Sequence, residues 1–321
     1  MKLKRKITTV LLTASALSLL PSCRHKDLYM EEDMTSRLQV VFDWRDAPDA
    51  TPASMAMYLY ENEGGNPMRF IFSNSTGGEI KAPFGTHHAI CMNADINDWA
   101  RMRNSENIET LEISTLDSES LPVQRIRSET VPRAEGTENE RMATTPHMLW
   151  GSRLNNISIV PHEGTQIITL YPHECICYYT VDILDVTNLE GVESSAVDGS
   201  ISGMAEAYNH GADSPTDTPV TMTFTLIGDA AKKSLHGEFL TFGECSLTSR
   251  KHYLTAYMVL SDGSRWYKTF DVTDQVSKAD DPRHVHIVVS GLELPQPPSE
   301  GSQSLTTDVN EWQSVNIGIQ M

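Results

Sequence analysis

The sequence predicts an all-β chain folded as two β-sandwich domains, on three observations. Apolar residues recur at every second position in short runs, a helical period is almost absent, and turn-forming residues separate the runs. In order, "LQVVFDW" (38–44) places Leu38, Val40, Phe42 and Trp44 on one face of a strand. "MAMYLYE" (55–61) and "MRFIFSN" (68–74) follow, with "EGGNP" as the turn between them. "GEIKAPFGTHHAICMNAD" (78–95) reads as a strand, a Pro/Gly break and a second strand, and "IETLEIST" (108–115) alternates again. "INDWARMRN" (96–104) is the single expected helix. Residues 117–146 carry many charges and few large apolar residues, so they read as a long exposed loop.

Strands resume at "HMLWGSR" (147–153) and "NISIV" (156–160), before "PHEG" (161–164) and the apolar stretch at 165–189. Further strands are expected at 199–209, 220–228, 234–243, 252–273 and 284–294, with Asp262-Gly263 turning a hairpin within "SDGS". The boundary between the two sandwiches is placed near residue 162, giving domains at 38–162 and 163–295. Residues 296–321 complete the chain as a Pro/Ser-rich linker and a C-terminal strand, "SVNIGIQM" (314–321).

The amino terminus carries a targeting signal. Lys2, Lys4, Arg5 and Lys6 precede an uncharged apolar stretch from Ile7 to Leu20, shorter than the ~20 residues a spanning helix requires. Leu20-Pro21-Ser22-Cys23 resembles a bacterial lipobox. In that reading residues 1–22 are a lipoprotein signal peptide, Cys23 is acylated, and residues 23–37 are the tether from the membrane. Several acyl chains hold stably because each buried methylene contributes about 0.8 kcal/mol. Loss of the four leader cations takes the formal charge from −18 to −22. Such an acidic body excludes nucleic acid as a natural partner and disfavours direct contact with anionic lipid. Cys91, Cys175, Cys177 and Cys245 have no CxxC spacing and read as buried free thiols.

Catalytic and metal chemistry is not indicated, nor is any cofactor. "GSISG" (199–203) has Ile201 where a nucleophile elbow needs serine, and neither a phosphate-binding glycine loop nor HExxH is present. His284 and His286 share a strand face but lack a third metal ligand, and read as edge histidines. "DVTDQVSKADD" (271–281) lacks EF-hand spacing and reads as a solvated acidic turn. Trp44, Trp99, Trp150, Trp266 and Trp312 are dispersed, which favours core or sheet-edge roles over a sugar-stacking platform.

The ordered signatures say more than any single site. The lipobox, "LQVVFDW", "FGTHHAICMNAD", "TPHMLWGS", "ISGMAEAYN", "FLTFG", "FDVTDQV" with "HIVVSGLELP", and "VNEWQSVNIGIQM" together resemble the fimbrillin-like lipoproteins of Bacteroidetes. Relatives of that family include shaft, anchor and tip subunits of type V pili. The resemblance implies two tandem transthyretin-like β-sandwiches, outer-membrane anchoring through Cys23, surface exposure and a non-enzymatic role in adhesion. It further implies assembly with other fimbrillin-like subunits by strand exchange. An Arg-specific protease would cut at Arg37 or Arg45, and a donor strand would present Val315, Ile317 and Ile319. A host or glycan ligand is a further implied partner. The alternative is a stand-alone glycan-binding lipoprotein of a polysaccharide-uptake system.

Overall fold

The computed structural model describes residues 34–61, 65–245, 250–296 and 311–315. Strand follows strand because the side-chain period is two nearly everywhere. In chain order β1 spans Thr35–Phe42, β2 Met55–Tyr60, β3 Met68–Phe72, β4 Gly77–Pro83 and β5 Gly85–Asn93. A 3-10 turn at Ile96–Asp98 leads into β6 (Ala100–Arg103), then β7 (Glu112–Thr115), β8 (Arg141–Thr144) and β9 (Trp150–Ile159). The long apolar stretch divides into β10 (Thr165–Leu170), β11 (His173–Glu174) and β12 (Cys177–Leu184). There follow β13 (Ala196–Ala205), β14 (Ala207–Asn209), β15 (Ser214–Pro215), β16 (Pro219–Asp229), β17 (Ser234–Thr241), β18 (Tyr253–Val259) and β19 (Arg265–Asp271). A short helix α1 (Thr273–Ser277), β20 (His284–Ser290) and β21 (Trp312–Ser314) complete the described chain.

A three-stranded sheet, β10-β1-β4, packs on a five-stranded sheet, β11-β9-β5-β2-β3. Leu38, Val40, Phe42, Ile168 and Leu170 from the first meet Met55, Met57, Leu59, Ala89 and Cys91 from the second. The five-stranded sheet is buried on its other face as well. Ala56, Tyr58, Tyr60, Ile90 and Met92 pack there with Ile108, Leu111, Ile113 and Tyr208. Those last residues belong to or flank a four-stranded sheet, β15-β14-β7-β6. The approach is closest where a Cβ on Gly151 would lie 2.5 Å from the His210 ring, a contact that glycine alone permits.

The remaining strands form one sheet in the order β20-β12-β17-β16-β13-β18-β19-β21, with β8 added alongside β16. Inward residues from its whole width, including Val181, Ile201, Phe224, Leu254 and Ile287, share one core, so the sheet curls on itself. Asp262-Gly263 turns the β18–β19 hairpin, with Leu260 N donating to Ser264 O at 2.9 Å. Several pairings run across residue 162: β10 pairs with β1, β11 with β9, β14 with β7 and β16 with β8.

Three expectations are corrected. The helix expected over 96–104 is a 3-10 turn followed by β6, whose Met102 and Ala100 pair with Ile113 and Thr115. Sheet pairing overrides a weak local preference there. The acidic turn at 271–281 contains α1, whose Val276 is buried in the large core. The exposed loop at 117–146 is instead packed on the outside of the large sheet. Leu121, Val131 and Met142 gather around Tyr257, and β8 pairs in parallel with β16. Composition misled because buried carboxylates tie the segment to the sheet in both directions, one accepting from its backbone and one reaching out from it. Asp198 accepts from Val123 N at 2.7 Å and Gln124 N at 2.9 Å. Glu140 accepts from Gly203 N at 3.0 Å, Thr221 Oγ1 at 2.9 Å and Arg250 at 3.1 Å.

The four cysteines among the described residues are free thiols, three of them buried. Desolvation pushes Cys91 and Cys177 up to about 11 and raises Cys175 as well, so these three are held as neutral thiols at physiological pH.

Two outcomes follow from this packing. Glu140→Ala strands two buried donors and the half-buried Arg250 guanidinium and is expected to cost about 3 kcal/mol in denaturant unfolding. Trypsin should spare the bonds after Arg133 and Arg141 in the wild type and cut them early in that variant. If 117–146 is cut first in both, the packed arrangement is wrong. Separately, burial pushes His210 down to about 4 from an ordinary 6.5. The folded state holds it neutral, so its contribution is complete above pH 6.5 and is lost as pH falls towards 4. The loss amounts to about 3 kcal/mol. Thermal melts across that window should show the decline, and His210→Gln should flatten it.

Candidate functional site

The working parts suggested by the sequence are strands, and β1 is the one whose seat the structure defines. Leu38 and Val40 are fully buried and Phe42 nearly so, whereas Arg37 on the opposite face is exposed. One-faced burial follows directly from the alternation of "LQVVFDW". β1 lies between β10 and β4, with Arg37 opposite Thr165 and Phe42 opposite Leu170 in a parallel register. Its end is fixed by Phe42 N donating to Thr76 O at 3.2 Å and Asp43 N donating to Leu170 O at 2.9 Å. The Phe42 ring meets Phe72 edge-on, 5.3 Å between centroids.

Gly77 sets how closely β4 can approach. Its φ is +105°, and a Cβ there would stand 2.1 Å from Val40 O. Asn74 prepares the turn, its Oδ1 accepting from Thr76 N at 2.8 Å and Gly77 N at 2.9 Å. Sequence reading passed over Gly77, although "NSTGG" is a turn signal. What sequence could not supply was β10, the parallel partner more than a hundred residues away.

The two candidate processing arginines occupy different settings. Arg37 lies within β1, and its Nε is 4.0 Å from a Glu79 carboxylate oxygen. Arg45 lies just beyond the strand, in a turn, with its side chain 63% exposed. It donates to the Asp43 carboxylate at 2.5 Å and its guanidinium sits 4.7 Å above the Tyr171 ring. The Arg45 hydrogen bond lowers the Asp43 carboxyl below its ordinary value. Cutting after Arg45 would free the whole of β1, whereas cutting after Arg37 would leave Leu38, Val40 and Phe42 in place. Next to Arg45, Trp44 Nε1 donates to Ser75 O at 2.7 Å and the ring meets Trp150 edge-on.

Of the candidate donor residues, Val315 is described and is buried in this chain's own large core. β21 runs parallel to β19, Trp312 opposite Arg265 and Ser314 opposite Tyr267. Val315 N donates to Tyr267 O at 2.9 Å, and Lys268 Nζ donates to Val315 O at 2.9 Å. Ile317, Ile319 and Cys23 lie outside the described residues, as do residues 1–33 and the linker at 297–310.

The histidine pair on β20 takes carboxylate partners. His286 Nε2 is 2.7 Å from an Asp182 oxygen, while His236 Nδ1 is 2.8 Å from the other oxygen of the same group. His284 contacts Asp281 at 2.9 Å and stacks on Tyr178. Among the described residues no group of three or more His, Cys, Asp or Glu is arranged to hold a metal ion.

Solved structures of similar fold are known. A candidate adhesin from Bacteroides ovatus superposes with a TM-score of 0.62 at 20% identity, over 88% of this chain and 99% of that one. The fimbrial anchor protein Mfa2 from Porphyromonas gingivalis matches at 0.49 and 10% identity, over 79% and 90% of the two chains. The likeness to the Bacteroides ovatus structure is one of fold. By sequence, the chain belongs to the DUF5119 family, a domain of unknown function whose profile matches residues 22–225. No curated protein matches the sequence.

Gly77→Ala tests the seat of β1. The added methyl would meet Val40 O and adopt an unfavourable φ, so a loss of at least ~2 kcal/mol is expected in denaturant melts. Unchanged stability would show that β1 is not held against β4 as described.

Proposed function

We propose that this chain is a surface-exposed, lipid-anchored structural or accessory subunit of type V-like pili, acting in adhesion and assembling by strand exchange. The observation that carries the reading is the setting of β1. It is a one-faced apolar strand in the middle of a three-stranded sheet, followed at once by the exposed Arg45. Removing a middle strand opens a groove with unpaired main-chain groups on both β10 and β4 and an apolar floor. An extended strand from another subunit satisfies both needs. The description of one structural neighbour as an adhesin and of another as a fimbrial anchor is consistent with this role. Cys23 supplies the anchor to the outer membrane.

The donor is the tail with Val315, Ile317 and Ile319 on one face. In the monomer its first part rests on β19, so donation requires release from that edge. A short parallel pairing of three residues makes that release inexpensive. The role needs no catalytic residue and no cofactor.

The test is arginine-specific proteolysis of the purified full chain, followed by mass spectrometry and size-exclusion chromatography. Cleavage after Arg45, departure of the β1 peptide and growth of higher oligomers are expected. Arg45→Gln should block all three, and Arg37→Gln should leave them intact. A chain that is cut after Arg45 and stays monomeric would overturn assembly by exchange.

A further inference from the structure

A cleft of about 780 Å³ opens between the segment at 116–125 and the outer face of the large sheet. It adjoins a second depression of about 650 Å³, and Asp117, Ser118, Glu119 and Ser120 line both. Together they exceed the lower range of small-molecule sites. Their walls mix polar and apolar surface in about equal parts. Exposed carboxylates of Asp98, Glu119 and Glu238 face the first cleft together with Arg125. Hydroxyls of Thr144 and Thr225 add groups that both donate and accept.

An aromatic stack stands among these groups. The His147 imidazole stacks on Trp99, with centroids 5.6 Å apart and planes 11° from parallel. Trp99 is 6% exposed and buried in the core, which fixes the pair, whereas His147 is exposed in the cleft. A flat ring held rigid beside carboxylates is what a pyranose requires. Its C–H face covers the ring, and its hydroxyls donate to the acids.

Two further features mark the cleft as built for an occupant. Arg125 has a φ of +55°, the left-handed region that a residue with a side chain enters at a cost. The buried Asp198 carboxylate holds that turn by accepting from Val123 N and Gln124 N, which keeps Arg125 at the cleft wall. In the adjoining depression Ser128 is 7% exposed, and its hydroxyl has no hydrogen-bond partner among the described residues.

We infer that this cleft binds a short, neutral saccharide, with His147 as the stacking surface, Asp98, Glu119 and Glu238 accepting from ring hydroxyls, and Arg125 donating to ring or hydroxyl oxygens. The formal charge of −18 and the carboxylates in the cleft oppose polyanionic glycans. The site is remote from β1 in its residues and does not depend on strand exchange, so either reading can fail without the other.

The full chain, solubilised in detergent and left unprocessed, would be applied to a printed array of neutral plant, yeast and mammalian oligosaccharides, with polygalacturonate and heparin as anionic controls. Binding to at least one neutral glycan is expected, and calorimetry on that glycan supplies the reference affinity. His147→Ala, Glu238→Gln and Arg125→Gly, the last chosen because glycine accepts the same φ, should each weaken binding roughly tenfold or more at an unchanged melting temperature. Failure to bind any neutral glycan would overturn the inference. So would preference for the anionic controls, or affinity unaltered in all three variants.

Discussion

The middle of the five-stranded sheet, at β2, has no face turned to water, and the architecture from Ser36 onward depends on that constraint. β2 is buried at every position, Met55, Met57 and Leu59 on one side and Ala56, Tyr58 and Tyr60 on the other. A sheet that buries both faces must be a middle layer, and each face then dictates a cover. The three-stranded sheet with β1 covers one side. The four-stranded sheet covers the other, reaching it where Gly151 admits the His210 ring. His210 donates its backbone N–H to Leu111 O at 2.9 Å, so the same residue ties β14 to the segment leading into β7. Burial explains its neutrality, and Tyr208 meets its ring edge-on at 5.3 Å.

Polar anchors do the corresponding work on the large sheet. The segment at 117–146 has too few apolar residues to be held by area alone. It is held by two carboxylates, Asp198 accepting from its backbone and its own Glu140 accepting from the surrounding chain. Asp198 is fully buried, and burial raises its pKa while the two backbone donors oppose that shift. A carboxylate so placed is costly when unpaired and valuable when satisfied, which makes the segment's position specific. The cleft beside Trp99 and His147 is a consequence of where this segment is pinned.

Strand exchange, as a mode of assembly, uses the same physics that folds the monomer. β1 is secured by ladder hydrogen bonds and three inward side chains, and any extended chain with that alternation offers equivalent bonds. In the proposed exchange, specificity would come from side-chain fit such as Phe42 against Phe72. The tail shows the complementary situation. β21 adds to the β19 edge through a short parallel register, and Trp312 meets Tyr257 edge-on at 5.5 Å.

What the sequence determined by itself was whatever depends on neighbours along the chain. Period-two alternation made β1 and β2 legible, and Asp262-Gly263 marked the hairpin. The inward set of β1 was legible for the same reason, since alternation alone assigns Leu38, Val40 and Phe42 to one face. Only the tertiary structure decided what depends on distant partners. Residues 117–146 look like a solvated loop until Asp198 arrives from elsewhere to accept from their backbone and the segment's own Glu140 finds donors on Gly203, Thr221 and Arg250. Residues 100–103 become a strand because β7 lies beside them. The placement of β10 against β1, and of Trp99 under His147, joins segments dozens of residues apart. Their contacts are set by packing between layers, and local propensity carries no record of them.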